Sequence, residues 1–474
     1  MMRRAILTLL PAAFALLATP AHAAVTLDGA AMRWPWALPF VGILLTIATG
    51  PVLFPRLWHH HYGKLALAWS VLTLAPLAVF YGASSAVAAL VHAVLAEYLS
   101  FIVLLFALYV VAGGILVTGN LRGTPLVNTG MLAFGTLIAS VVGTTGAAMI
   151  LVRPLIHANA ARLHNVHVIV FFIFLVANIG GALSPLGDPP LFVGFLHGVD
   201  FFWPARNLWS QTALVAGLVL AAFLVLELWH HRNDRRVTTV GEDTPPAKLR
   251  LSGGINLLLI AGIIAAILAS ASWQPGINFE IYGTTLALQN IARDAILVLI
   301  AVLSLALTPN EHREANGFTW EPIAEVAILF AGIFICIIPV LAALNAGEHG
   351  SLYWLLAAVT ANDGSPHDLA YFWLTGALSA FLDNAPTYLV FFELAGGDAR
   401  DLMGPLASTL AAISMGAVYM GAMTYIGNAP NFMVYAIARE RGVKMPSFFG
   451  YMVWSALVLL PVFVILTFIA IVRL

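Results

Sequence analysis

Apolar runs of about 20 residues, the length needed to cross a bilayer, recur along this chain. They predict helices near 36–54, 65–82, 100–118, 166–196, 208–229, 253–271, 293–308, 323–344, 404–437 and 449–472. Two further apolar segments, 126–157 and 370–397, carry Gly, Pro or Asn at their middles. Each predicts a helical hairpin that enters and leaves on one side of the membrane. RNDRRVTTVGEDTPPAKLRLS (232–252) reads as a cytoplasmic linker between two halves, 24–231 and 253–474. NEHREANGFTWEP (310–322) reads as a second cytoplasmic loop, and SLYWLLAAVT (351–360) as an amphipathic helix on the outer surface.

Two of the long runs are interrupted. PLGDPPLF (185–192) breaks 166–196, and YIGNAPNF (425–432) breaks 404–437, at a constant offset of 240. At that offset Gly181/Gly421, Ala182/Ala422, Gly187/Gly427, Pro190/Pro430 and Phe192/Phe432 are identical, and VVGTTGA (141–147) falls opposite FLDNAPT (381–387). The pattern predicts a duplicated unit of helix, hairpin and broken helix. A break in mid-membrane frees carbonyls at one half-helix end and amides at the other. Lipid satisfies neither, so the break must face protein, water or a bound ion. Pro189, Pro190 and Pro430 lack the amide hydrogen that would heal the helix, and Gly187 and Gly427 permit the dihedrals of the gap. One such motif alone reads as a proline kink; two matched copies with polar partners favour an ion or substrate site.

The composition agrees: 61% of residues are hydrophobic and 9% charged, against about 25% charged in soluble domains. The expected fold is an all-α polytopic membrane protein of two inverted repeats, each with a re-entrant hairpin and a broken transmembrane helix. The net charge of −1 identifies no partner. The single cysteine, Cys336, excludes an intrachain disulfide. There is no basic domain for nucleic acid and no H-E-x-x-H protease motif, so no enzyme and no cofactor are expected.

MMRR followed by AILTLLPAAFALLA and AHA, ending at Ala23, reads as a signal peptide over residues 1–23. Its removal would leave the N-terminus outside the cytoplasm, periplasmic for a bacterial inner-membrane protein. With both hairpins re-entrant, Arg56, Lys64, Arg122, Arg153, Arg162, Arg232, Arg235, Arg236, Lys248, Arg250, Arg313, Arg439, Arg441 and Lys444 fall inside. Only Arg33, Arg206, Arg293, Arg400 and Arg473 fall outside, as the positive-inside rule requires. The first hairpin is then cytoplasmic and the second external, so the repeats are inverted.

Two acids fall in the apolar interior. Asp188 lies in the first break, and Asp383 begins DNAPT at the second hairpin tip. Intramembrane carboxylates mark ion or proton paths, and burial raises a carboxyl pKa while a bound cation lowers it. An aspartate of this kind exchanges Na⁺ for H⁺ by competition. Neutral oxygens surround both positions: Thr144 and Thr145 at the first tip, Asn384 and Thr387 at the second, Ser184 and Thr424 beside the breaks, and Asn178 and Asn428. Taken singly, each hydroxyl reads as helix-bonding; their clustering at matched positions supports a cation site. Glu97, Glu227, Asp294, Glu325 and Glu393 sit near predicted helix ends and read as interfacial, and Arg153 as snorkelling to the cytoplasmic face. WHHHYGK (58–64) and WHHRND (229–234) read as interfacial anchors; His157, His164 and His167 group where pH sensing is conceivable.

ANIGGALSPLGDPP (177–190), SAFLDNAPTYL (379–389) and GAMTYIGNAPNF (421–432) resemble motifs of the ion transporter superfamily. That group includes NhaD-type sodium/proton antiporters, arsenite permeases and citrate or dicarboxylate transporters. The resemblance implies inverted repeats, re-entrant hairpins, alternating access and a homodimer among membrane lipids. It places the acidic position of the first break at Asp188 and the second tip at Asp383–Asn384. Neither tip carries the Ser-Asn-Thr triad of sodium-coupled dicarboxylate carriers, which favours a Na⁺/H⁺ antiporter. The alternative is a cation-coupled citrate or dicarboxylate carrier, its substrate carboxylates held by amide dipoles at the tips.

Overall fold

The computed structural model describes residues 27–119, 121–234 and 250–471. The expected signal peptide, most of the linker and Arg473 lie outside them. Among the described residues ten helices are long and apolar enough to cross a membrane. The chain is an all-α polytopic membrane protein.

The first half runs through α1 (Leu38–Leu53), α2 (Pro55–Tyr81), α3 (Ala83–Gly113), α4 (Pro125–Val142), α5 (Thr144–Ala158), α6 (Val166–Leu175), α7 (Pro189–Leu196) and α8 (Trp203–Asp234). The second runs through α9 (Ile255–Ser272), α10 (Leu288–Leu307), α11 (Asn310–Ala315), α12 (Glu321–Asn345), α13 (Tyr353–Val359), α14 (Asp368–Phe381), α15 (Asn384–Leu394), α16 (Ala399–Met403), α17 (Ala407–Met420), α18 (Ala429–Glu440) and α19 (Phe448–Leu466). Two short antiparallel pairs complete it. β1 (Leu116–Thr118) pairs with β2 (Arg250–Ser252), and β3 (Asn278–Ile281) with β4 (Thr284–Ala287).

The apolar segment 126–157 is split into α4 and α5 at Gly143, whose φ of 81° is a conformation L-residues avoid. Segment 370–397 is split at Asp383, whose side chain caps α15. α6 is buried from His167 to Leu175 and α17 from Thr409 to Met420. A helix buried on every side needs no polar face, which accounts for the unbroken apolar run VIVFFIFL. The outer helices instead leave Leu67, Val79, Leu258 and Leu457 exposed for lipid.

Several boundaries differ from the hydropathy reading. The run placed at 100–118 begins seventeen residues earlier, at Ala83, and ends at Gly113, where Asn316 Nδ2 donates to the carbonyls of Gly113 and Ile115. SLYWLLAAVT supplies only the seven residues of α13. α10 starts at Leu288, so Arg293 is buried inside it, donating to Asp294 and Ser100.

Glu227, expected at an interface, is fully buried. Arg162 grips it with both guanidinium nitrogens, His167 Nε2 lies 2.5 Å from Oε2, and Asn128 donates to Oε1 at 2.8 Å. These contacts tie the base of the α4–α5 hairpin to α8. Removing one partner of a buried pair strands the other. Arg162→Met is expected to destabilise the fold by about 3 kcal/mol, read as a lower melting temperature in detergent; an unchanged value would show that Glu227 is hydrated.

Candidate functional site

The two interrupted runs adopt matching local geometries. After α6 the chain makes a 3₁₀ turn (Ile179–Leu183), extends through Ser184 and restarts as α7. After α17 it makes a 3₁₀ turn (Gly421–Met423), extends through Thr424 and restarts as α18. Ser184 Oγ donates to the carbonyl of Ser140 at the end of α4, and Thr424 Oγ1 donates to the carbonyl of Ala380 at the end of α14, at 2.5 Å. The same hydroxyls accept from the amides of Leu186 and Ile426, both at 3.2 Å. Ser184 and Thr424 therefore fasten each break to its hairpin. Gly181 and Gly187 touch backbone to backbone, as do Gly421 and Gly427: a Cβ on Gly187 would lie 2.1 Å from Gly181 O, and one on Gly427 2.5 Å from Gly421 O.

Asp188 is the N-cap of α7 and Asn428 the N-cap of α18. Pro189 and Pro190 open α7 and Pro430 opens α18, occupying first-turn positions where a missing amide hydrogen costs nothing. Asn428 Nδ2 donates to Asp188 Oδ1 at 2.8 Å. Thr144 Oγ1, at the start of α5, donates to the same oxygen at 3.1 Å, and Asn384 Nδ2, at the start of α15, donates to Oδ2 at 2.5 Å. Thr144 and Asn384 stand at the same 240-residue offset as Asp188 and Asn428. One carboxylate thus meets one donor from its own half and two from the other. All four side chains are 1% exposed or less.

Four helix N-termini meet here, those of α5, α7, α15 and α18. Each carries a partial positive charge, so the point is favourable for negative charge. Asn178 braces it from behind: its Oδ1 accepts from Asn428 Nδ2 at 3.2 Å, and its Nδ2 donates to Asn431 Oδ1 at 2.7 Å. Asn431 donates in turn to the carbonyls of Gly421 and Thr424 freed by the break. Asn431 was not singled out from the sequence, although it lies within NAPNF.

The remaining candidates have other occupations. Asp383 is half-buried and its Oδ1 accepts from Ala385 N at 3.1 Å, so it caps α15 beside Asn384 and makes no hydrogen bond to Asp188. Thr387 Oγ1 donates to its own helix, at Asp383 O. Thr145 is half-buried in the first turn of α5. Two acceptors stay unpaired: among the described residues Asn384 Oδ1 and Asn428 Oδ1 are buried without a hydrogen-bond partner.

A buried carboxylate lodged between broken helices of a polytopic bundle defines a secondary transporter. The chain belongs to the family named Putative citrate transport, whose model matches residues 29–471. It is also similar to an uncharacterized transporter of Synechocystis sp., 24% identical over 344 residues that cover 67% of this chain and 71% of the relative.

Proposed function

We propose that the protein carries a citrate-type di- or tricarboxylate together with a coupling cation, by alternating access of two inverted repeats around Asp188. The observation that carries this reading is the convergence of four helix N-termini on one acid. That field attracts a substrate carboxylate, as helix N-termini attract anions generally. Asp188 opposes it, because two unit charges 4 Å apart repel by about 4 kcal/mol at an effective dielectric of 20. A proton or small cation on Asp188 removes the repulsion. Substrate and co-ion therefore bind as a set, which is the requirement for coupling.

The test is uptake of labelled citrate into proteoliposomes under an imposed proton or Na⁺ gradient. Uptake is expected to follow the gradient and to stop when an ionophore collapses it. Uptake indifferent to both gradients would remove the coupling role of Asp188.

Na⁺/H⁺ antiport is the second reading, favoured by the two unpaired oxygens of Asn384 and Asn428. They are buried oxygens left over beside the carboxylate of Asp188, and hard cations take oxygen ligands. A Na⁺ pulse that collapses a preset pH gradient in vesicles lacking citrate would select it.

A further inference from the structure

α3 contains a π-helical turn over Ala93–Tyr98, closed by the amide of Leu99 donating to Val94 O. Such turns are rare and recur at functional sites. Here the turn changes which side chains share a face. Residues five apart on an α-helix point about 140° away from each other. The wider turn brings His92 and Glu97 together, with Nε2 to Oε1 at 4.0 Å. Glu97 thereby faces the end of α7, where His197 Nε2 lies 3.5 Å from Oε1. Glu97 Oε2 is buried without a partner among the described residues.

The other ring nitrogen of His197 is already committed. Nδ1 lies 2.9 Å from the carbonyl of Val193. A carbonyl only accepts, so Nδ1 carries the hydrogen. In a neutral His197 the bare Nε2 would then confront an ionised Glu97, acceptor against acceptor. The contact is attractive only if one proton lies on Nε2 or on the carboxyl.

On the facing helix α15 the Phe392 ring meets the His197 ring edge-on, with centroids 5.6 Å apart, and the next residue is a second acid, Glu393. The neighbouring charges on α10, Arg293 and Asp294, pair with each other and with Ser100, one turn along α3 from Glu97. The cluster stands at the mouth that the charge asymmetry assigns to the outside. It also joins three elements that matter to the central site. His197 follows the helix capped by Asp188, Phe392 rides on the helix begun by Asn384, and Glu97 belongs to the long helix α3.

We propose that Glu97 and His197 form a second ion site, one that binds a proton from the outer solution and, when occupied, clasps α7 against α3. The proton bonds to His197 Nε2 and is shared with Glu97 Oε1; its departure leaves bare acceptors facing one another and loosens the clasp. The effect on transport rests on the proposed alternating access, but the site itself is open to a test without substrate.

Histidine-labelled protein in detergent is observed by NMR, with His197→Asn identifying the resonances. Glu97→Gln is expected to move the His197 ring resonances and to speed exchange of the Nε2 proton with water, because the shared proton loses its carboxylate acceptor. Unmoved ring resonances overturn the site. Should Glu97→Gln fail to fold, Glu97→Asn supplies the same comparison. In proteoliposomes that take up citrate, Glu97→Gln is expected to displace the dependence of rate on external pH and to leave that on internal pH unchanged; equal displacement on both sides also overturns it. Moved His197 resonances in a protein that carries no carboxylate across fault the proposed substrate and leave the proton site standing.

Discussion

Asp188→Asn is expected to cut transport by about 100-fold or more per folded molecule, equivalent to about 2.7 kcal/mol. The replacement has the same size and keeps one acceptor oxygen. It removes the charge that the donors of Thr144, Asn384 and Asn428 surround. It also turns an amide donor toward a shell made of donors, the Nδ2 groups of Asn384 and Asn428 and the hydroxyl of Thr144. Hydrogen bonds to a charged acceptor are worth about 1.5–3 kcal/mol each, so losing the charge weakens all three. Initial uptake rates at equal reconstituted amounts measure the effect, and a variant that retains a tenth of the wild-type rate would disprove the central role of Asp188. Asp383→Asn is the matched comparison. Its carboxylate caps α15, and Asn caps helices about as well as Asp. Its loss is expected to be at least about tenfold milder.

Gly187→Ala and Gly427→Ala are expected to damage the fold itself. The added carbon would meet Gly181 O at 2.1 Å in the first break and Gly421 O at 2.5 Å in the second. Both obstacles are backbone, which no rotamer change relieves. The cost is about 3 kcal/mol, at the upper end of overpacking, and a fall in melting temperature of about 3 °C reports it. Gly130→Ala in α4 and Gly217→Ala in α8 are controls, since a Cβ there meets nothing within 4 Å. If all four variants melt alike, the glycine contacts do not hold the breaks together.

The two breaks were legible because proline and glycine leave a local mark that survives duplication. Asp188, Thr144, Asn384 and Asn428 followed from the 240-residue offset, and the structure brings those four into contact. The offset carried no information on which oxygens face inward. Ser184, Thr424 and Thr387 spend their hydroxyls on carbonyls, a choice made by backbone direction. Asn431 escaped because its counterpart at the same offset is Leu191, so no symmetry pointed to it. Glu227 was read as interfacial because hydropathy measures polarity and not direction. A π turn has no compositional signature, and the partners that bury Glu227, Asn128 and Arg162, lie 99 and 65 residues away.

The sealing of Asp188 and its three partners has a kinetic consequence. With at most 1% of each side chain open to solvent, no ion reaches the carboxylate by diffusion alone. An ion that is to reach it from bulk water needs the packed elements around the site to move apart. If the proposed transport runs through Asp188, its turnover is limited by the frequency of that opening, in the microsecond-to-second range of such rearrangements.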